Sequence, residues 1–259
     1  SAYTGKCNLV TLSRICYSTF NKASPYPVRR RLEKLMKRGT LYLLACIVIL
    51  GGFLRFYRLG EIPAGFHRDE AFLGYNSYSI LKTGKDMNGV ALPLHLKSFL
   101  YSPAGYSYAS IPFIAVFGVN AFSVRFASAL FGTMTIFFTY LFVLELFRKL
   151  EIENWKLRAI ALLSALLLAV SPWHLNLSRT ATENTIAVFF ITLGTLLYLL
   201  WHKNNRLILL VASFLSFAST LVIYQAPRAF LPLFIPILIL SSSGLTRGSS
   251  LNQTLDSRL

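Results

Sequence analysis

This sequence of 259 residues has few charges and very few acids: 14% of its residues are charged, and only 10 are Asp or Glu. Its 15 Gly and 10 Pro are too few for a collagen-like or low-complexity chain. Disorder requires low hydrophobicity, whereas 54% of these residues are apolar. A soluble domain carries about 25% charged residues, so a water-soluble enzyme is disfavoured as well. The class that remains is a membrane protein.

Cysteine is also scarce. Cys7, Cys16 and Cys46 are odd in number, have no CxxC spacing, and include one residue inside an apolar run. Zinc sites and redox motifs require closely spaced ligands. We therefore assign no disulfide framework and no metal-binding residues.

Long apolar runs are what the sequence has in abundance. A transmembrane helix requires about 20 mainly apolar residues. Six runs approach this length, and the only charge within them is Arg55, which lies near an end from which it can reach the membrane surface. The six runs are Gly39–Tyr57, Phe126–Leu144, Ala159–Ser178, Asn184–Trp201, Leu207–Pro227 and Ala229–Thr246. The sequence therefore predicts an all-α fold, a polytopic bundle of about six transmembrane helices over residues 40–246.

A seventh apolar stretch, residues 105–118, is shorter and contains tyrosines, serines and Pro112. If it does not cross and the N-terminus is cytoplasmic, the short inner loops hold six Lys or Arg and the short outer loops only Arg179 and Arg228. Short cytoplasmic loops are enriched in Lys and Arg, whereas long loops cross the membrane largely regardless of their charge. We therefore predict one long outer loop, residues 58–125, with amphipathic helices at the membrane surface. The active face would be extracytoplasmic, in a protein of the plasma (inner) membrane.

Residues 1–39 carry nine Lys or Arg and a single acid, Glu33. The favoured interpretation is a cytoplasmic tail, because each basic residue near an anionic lipid surface contributes about 1 kcal/mol. An organelle transit peptide is the alternative, because such segments are rich in Arg and poor in acids. Nucleic-acid binding is disfavoured because no nucleic-acid-binding motif is present. At the other end, residues 247–259 form a polar tail.

Polar residues suited to catalysis or binding lie at three predicted outer junctions. Asp69 and Glu70 follow the first span, Glu183 precedes the fourth, and Arg228 follows the fifth. Each has a structural alternative: acids stabilise a helix N-terminus, Arg179 and Glu183 can pair four residues apart, and an Arg can anchor a helix end. Functionally, carboxylates and an arginine, whose planar donors suit phosphate, predict a cavity for a lipid-linked phosphate.

Five segments in a fixed order carry a family resemblance. They are Asp69-Glu70 with the following GYNSYSILKTGKDMNG, Tyr101-Ser102-Pro103, Phe117-Gly118 leading to Ser123-Val124-Arg125, SPWHLNLSR with Glu183, and residues 224–232. In this order they resemble the GT-C glycosyltransferases, and within them glycosyltransferase family 39, related to protein O-mannosyltransferases and aminoarabinose transferases. The similarity covers about residues 40–240.

The resemblance implies inverting transfer of a sugar from a polyprenyl-phosphate donor to a hydroxyl of a lipid, glycan or protein acceptor. It assigns Asp69 as the base, with Glu70 as a second catalytic carboxylate. Glu183 would position the acceptor or a cation, and Arg228 and Arg125 would bind the donor phosphate. The remaining cavity candidates are Tyr101, Ser102, His174, Arg179 and Tyr224. A divalent cation is a candidate cofactor with no assigned ligands.

Two other functions stay open at this stage. A non-catalytic membrane scaffold or lipid-binding protein with the same fold would bind lipid phosphate without turnover. A solute transporter would want ionisable residues near mid-membrane, whereas Glu145, Glu183 and Arg228 lie near span ends. Relatives continue with further helices, so we expect this chain to be an N-terminal part of a longer protein.

Overall fold

The structure is a computed structural model that describes residues 27–97, 101–148, 150 and 152–237. The chain divides into two compact units, residues 1–43 and residues 44–259. In the first unit, the described residues form only the beginning of the first helix. Most of the predicted basic tail, residues 1–26, and all of the predicted polar tail, residues 247–259, lie outside the described residues.

Helices dominate the described residues, as predicted. They are α1 Pro27–Phe56, α2 Arg68–Thr83, α3 Gly105–Phe117, α4 Ala121–Leu146, α5 Asn154–Val170, α6 Pro172–Arg179, α7 Glu183–Asn204, α8 Leu207–Ile223 and α9 Ala226–Ile237. Two short strands, β1 His95–Lys97 and β2 Tyr101–Pro103, pair antiparallel with His95 opposite Pro103. The all-α prediction is confirmed, with this one small hairpin in addition.

Three helical segments are long and apolar enough to cross a membrane: Arg38–Phe56 within α1, α4 and α7. Helices α5 and α6 would make a fourth span if counted together, and they are bent by 53°. The break falls at Pro172, which lacks the N–H that a continuous helix needs. Helices α8 and α9 are shorter apolar helices. The membrane helical bundle is thus confirmed, with three or four full-length spans in the described residues; the predicted span Ala229–Thr246 lies partly outside them.

The predicted outer loop, residues 58–125, is folded. It contains α2, the β1–β2 hairpin and α3, and both helices pack near the start of α4. Helix α3 has 13 residues, which are too few to span a bilayer alone. Close packing places these elements: a Cβ atom on Gly74 of α2 would lie 2.7 Å from a methyl carbon of Val124 in α4.

Two clusters of buried apolar residues hold the helices of the second unit together. The first joins α2, α3, α4, α7 and α8 and includes Leu73, Tyr106, Val124, Ile186 and Ile223. The second joins α1, α4 and α5 and includes Leu44, Ile136, Ala161, Ala165 and Ala169. Helix α5 presents a small residue at every fourth position, and small residues let helix backbones approach closely within a membrane.

Gly132 of α4 provides a test of this close packing. A Cβ atom there would lie 2.8 Å from the Cβ atom of Ser178 in α6, so Gly132→Ala forces the two helices apart. Overpacking of this kind costs about 1–3 kcal/mol, and we expect a lower midpoint of thermal unfolding in detergent. Gly52→Ala is the matched control, because its Cβ would meet Thr133 at 3.4 Å. Equal midpoints for the two variants would contradict the packing described.

Candidate functional site

A cavity of about 440 Å³ lies where α2 and α7 begin. It is lined by Arg68, Asp69, Phe72, Leu73, Ser102, Ala181, Thr182, Glu183, Asn184 and Tyr224. These residues come from four separate parts of the chain. The cavity therefore brings together four residues that the sequence analysis selected: Asp69, Ser102, Glu183 and Tyr224.

Asp69 lies in the first turn of α2, and its side chain is 71% exposed. A capping box holds this turn: the Nδ1 atom of His67 accepts a hydrogen bond from the Asp69 N–H at 3.3 Å. Reciprocally, the His67 N–H donates to Glu70 Oε2 at 3.1 Å. The partial positive charge of a helix N-terminus favours a negative side chain at this position. Asp69 is thus a fixed, accessible carboxylate at the cavity.

Glu70 points the other way, into the protein, where it forms a buried ion pair with Arg125. Arg125 donates from Nε to Oε1 at 2.9 Å and from Nη2 to Oε2 at 2.8 Å, and both side chains are almost fully buried. The Ala181 N–H also donates to Oε1 at 2.8 Å. Burial raises the pKa of Glu70, but the hydrogen bonds and the charge of Arg125 outweigh it, so the pKa lies below its ordinary value.

Arg125 is fully used by this network. Its Nη1 atom donates to the carbonyl oxygens of Leu59 at 3.2 Å and Pro63 at 3.1 Å, and Nη2 donates to that of Gly65 at 2.7 Å. The side chain therefore ties the loop after α1 to α4. The structure places this predicted phosphate-binding residue away from the cavity, behind Glu70, with every N–H group of its guanidinium occupied by protein.

Glu183 and Ser102 meet at the cavity across a long sequence separation. The hydroxyl of Ser102, on β2, donates to Glu183 Oε1 at 2.8 Å at the start of α7. The alternative pairing of Glu183 with Arg179 does not form, because α6 ends at Arg179 and Thr180 is extended. Helix geometry is required for side chains four residues apart to meet. Glu183 is therefore oriented by the hairpin and remains at the cavity.

Arg179 and His174 lie behind the site, at the end of α1. Arg179 donates to the carbonyl oxygens of Leu54, Arg55, Tyr57 and Ile62, the first of these through a very short contact. His174 accepts a hydrogen bond at Nδ1 from Arg55 at 2.7 Å. Both side chains are buried and neither lines the cavity. Arg179 satisfies backbone carbonyl oxygens that the end of α1 and the loop after it leave unpaired.

The third predicted junction is divided between two cavities. Tyr224 lines the cavity with Asp69, whereas Arg228 lines a second cavity of about 580 Å³. The other residues of this second cavity are Phe214, Phe217, Ala218, Leu221, Leu231, Pro232 and Ile235. Arg228 donates to the Leu221 carbonyl oxygen and, at 2.8 Å, to Nε2 of His95. Tyr101 is exposed, and its carbonyl oxygen accepts a hydrogen bond from Gln225.

Sequence reasoning did not select Arg68 or Phe72, which also line the cavity. Arg68 immediately precedes Asp69 in the first turn of α2. This adjacency could have indicated it from the sequence. Across the described residues, no group of three or more His, Cys, Asp or Glu side chains could hold a metal ion. Asp69 and Glu183 are the carboxylates at this cavity that could contact a divalent cation.

Membrane-spanning helices and a cavity with two carboxylates at helix ends define a polytopic membrane protein with a candidate active site. The chain matches the family model described as dolichyl-phosphate-mannose-protein mannosyltransferase over residues 91–239, more than half of its length. It therefore belongs to this family and is a membrane glycosyltransferase of the class that uses a dolichyl-phosphate sugar. No curated protein matches the chain significantly. Asp69 and Glu70 precede the matched residues.

Proposed function

We propose that this protein transfers a mannosyl residue from a polyprenyl-phosphate donor to a hydroxyl of a protein acceptor, with inversion, and that Asp69 is the base. The observation that carries the proposal is the accessible Asp69 carboxylate at a cavity that also holds Glu183. In an inverting displacement one carboxylate activates the attacking oxygen on the face opposite the leaving group. Asp69 would accept the hydroxyl proton as that oxygen bonds to the sugar.

Glu183 and Ser102 are proposed to position the substrates. The Ser102 hydroxyl occupies only one oxygen of the Glu183 carboxylate, so the other oxygen can accept a hydrogen bond from a sugar or acceptor hydroxyl. Phe72 and Tyr224 add aromatic surface to the same cavity, which suits the apolar faces of a sugar ring. A carboxylate beside aromatic rings is a combination suited to a carbohydrate.

Glu70 receives a supporting role in this proposal. Both of its oxygens accept hydrogen bonds from Arg125 and from two backbone N–H groups. It therefore holds the first turn of α2 against α4 and against the segment that leads into α7. Asp69 and Glu183 lie next to those two anchored segments, so the ion pair fixes the spacing between them.

The second cavity is proposed to hold the lipid of the donor. Its lining is apolar except for Arg228, so a polyprenyl chain would lie among Phe214, Leu221 and Leu231 with its phosphate near the guanidinium. The described residues provide no acceptor for Nη1 of Arg228, which leaves donors for a phosphate. Ser102 lies beside Pro103, the partner of His95 in the hairpin, and His95 contacts Arg228. The hairpin thus borders both cavities, so the phosphate would lie beside it, between the lipid in the second cavity and the sugar in the first.

Arg228→Gln is expected to raise the KM for the lipid-linked donor about tenfold or more while changing kcat little, because it removes a charge that binds the phosphate in both ground and transition states. Steady-state kinetics in proteoliposomes would measure both constants. Arg206→Gln is the control. Arg206 lies at the N-terminal end of α8, whereas Arg228 contacts Leu221 near the C-terminal end of α8. A KM that stays unchanged in Arg228→Gln would remove this residue from donor binding.

The orientation follows from charge and completes the proposal: the N-terminus is cytoplasmic, and the cavity opens on the extracytoplasmic side of the plasma (inner) membrane. The short loops at the opposite ends of the helices hold the larger number of Lys and Arg. Cysteine substitution and labelling tests this topology directly. Asn184→Cys should react with an impermeant maleimide added outside intact cells, and Asn204→Cys should react only after permeabilisation.

A transfer assay tests the proposed function. Purified protein in proteoliposomes would receive polyprenyl-phosphate [³H]mannose or, separately, a nucleotide-linked [³H]mannose, each with a Ser/Thr-containing peptide. We expect label in the peptide from the lipid-linked donor alone. Transfer from the nucleotide sugar would contradict the donor class. Binding of the lipid donor without transfer would favour the non-catalytic lipid-binding alternative.

A further inference from the structure

The cavity that holds Asp69 and Glu183 contains one basic side chain among its lining residues, Arg68. A phosphate that gains negative charge beside two carboxylates is disfavoured unless a positive charge lies nearby, because like charges within a few ångströms repel. Arg68 is therefore the group among these lining residues that can offset negative charge developing on a leaving phosphate.

The buried arginines near the site already have partners within the protein. Arg125 donates to Glu70 and to backbone carbonyl oxygens, and Arg179 donates to backbone carbonyl oxygens. Arg55 donates to the carbonyl oxygens of Gly51, Leu168 and Ala169 and to His174. Arg68 is exposed and, within the described residues, forms no ion pair and no side-chain hydrogen bond. Its five N–H donors are available to a ligand.

The local structure fixes where this charge lies relative to the base. Arg68 and Asp69 are consecutive in the first turn of α2, and the capping box formed by His67 and Glu70 holds that turn. Consecutive side chains of an α-helix diverge by about 100°, because a turn contains 3.6 residues. The guanidinium and the carboxylate therefore point to different parts of the cavity. A sugar can lie between them, with the acceptor hydroxyl on one side and the phosphate on the other.

We infer that Arg68 stabilises the negative charge that develops on the leaving phosphate, a role that rests on the transfer proposed above. As the bond between the sugar's anomeric carbon and the phosphate oxygen breaks, its electron pair goes to that oxygen. The acceptor oxygen forms the new bond to the anomeric carbon, and its proton goes to Asp69. The phosphodiester carries one negative charge, whereas the released phosphomonoester carries about two above its second pKa near 6. Arg68 donates hydrogen bonds to the oxygen that gains the charge.

This role differs from that of Arg228 in its kinetic signature. A group that binds a charge present in both the donor and the transition state changes KM, whereas one that meets a charge only as it develops changes kcat. For Arg68→Gln we expect kcat to fall by about 10²–10³-fold, with the KM for the donor within about threefold of the wild-type value. The inhibition constant of the product, polyprenyl monophosphate, should rise at least tenfold, because the product carries the additional charge.

The experiment compares wild type, Arg68→Gln, Arg68→Lys and Arg58→Gln in the proteoliposome assay. Arg58 is an exposed arginine that pairs with Glu61 outside the cavity, and its replacement should leave kcat, KM and product inhibition unchanged. Arg68→Lys should recover part of kcat and of product inhibition, because lysine retains the charge but not the planar donors.

Three outcomes would overturn the inference while the proposed function stands. One is that neither kcat nor the donor KM changes in Arg68→Gln, and another is a higher donor KM at unchanged kcat, which would make Arg68 a ground-state binding residue. The third is a lower kcat with unchanged product inhibition and no recovery by lysine, which would indicate a structural effect. A wild-type protein that transfers no sugar from the lipid-linked donor would instead overturn the proposed function, and the inference with it.

Discussion

Asp69→Asn is expected to lower the rate of sugar transfer by about 10²–10⁴-fold, the usual contribution of a general base. Asparagine has nearly the same shape as aspartate but cannot accept the hydroxyl proton. The expected loss is in kcat and not in folding, because the Asp69 side chain is exposed and its 3.5 Å contact with the exposed His67 side chain contributes little to stability. Initial rates with polyprenyl-phosphate mannose and an acceptor peptide, in proteoliposomes with equal amounts of protein, would measure it.

A matched acid separates the loss of the base from the loss of a negative charge. Glu61 is an exposed carboxylate that pairs with Arg58 in the loop after α1, outside the cavity. Glu61→Gln should retain wild-type kcat and KM. If Asp69→Asn transferred sugar as fast as Glu61→Gln, Asp69 would have no part in proton transfer.

Arg125→Leu is expected to have the largest effect on stability. It would leave the buried Glu70 carboxylate without its charged partner and the carbonyl oxygens of Leu59, Pro63 and Gly65 without a donor. Removal of one partner of a buried ion pair costs about 3–5 kcal/mol. Unfolding in detergent, followed by circular dichroism against temperature or denaturant, should show a lower midpoint or no folded protein.

A milder change keeps this prediction testable if Arg125→Leu does not fold. Glu70→Gln keeps the shape and some hydrogen bonds but removes the charge, so a smaller loss of stability is expected. The pKa of Glu70 is held below its ordinary value of 4.5, so its stabilising contribution is complete above that pH. The contribution is lost as the pH falls through the lowered pKa. The difference in stability between wild type and Glu70→Gln should therefore shrink as the pH falls below 4.5.

The opposite pH dependence would contradict the buried pair. If the stability advantage of wild type over Glu70→Gln grew as the pH fell below 4.5, the Glu70 carboxyl would be protonated in the folded protein. If it stayed constant, the pKa of Glu70 would be the same in the folded and unfolded protein. Arg148→Leu is the control for the loss of an arginine, because Arg148 pairs with Glu145 at a more exposed position and should cost about 0–1 kcal/mol.

The helical membrane fold could be predicted from the sequence because long apolar runs have few alternatives to helix in lipid. Helix lengths could not be predicted as well. Pro172 breaks the predicted span Ala159–Ser178, and extended backbone at Tyr224 ends α8 within the predicted span Leu207–Pro227. Both breaks lie inside long apolar runs. The mean hydropathy over about 20 residues therefore does not reveal them.

The sequence predicted that four cavity residues would lie close together, because all of them fall on the predicted outer side of the spans. These residues are Asp69, Ser102, Glu183 and Tyr224. The positions of Arg125 and Arg179 were not predictable, because they depend on backbone carbonyl oxygens that become unpaired only once the helices end and pack. An arginine near a helix end has such groups within reach. The position of His174 was not predictable either, because it depends on the Arg55 side chain of α1. Arg68 was overlooked because its acidic neighbours carried the family resemblance.

The anomeric configuration of the transferred sugar tests the single displacement at Asp69 most directly. Nuclear magnetic resonance of the glycosylated peptide would report it through the one-bond carbon–hydrogen coupling at the anomeric carbon. We predict that the wild-type product has the configuration opposite to that of the polyprenyl-phosphate donor. Retention of the donor's configuration would mean two displacements through a covalent intermediate, and it would contradict the assignment of Asp69 as a base acting on the acceptor hydroxyl.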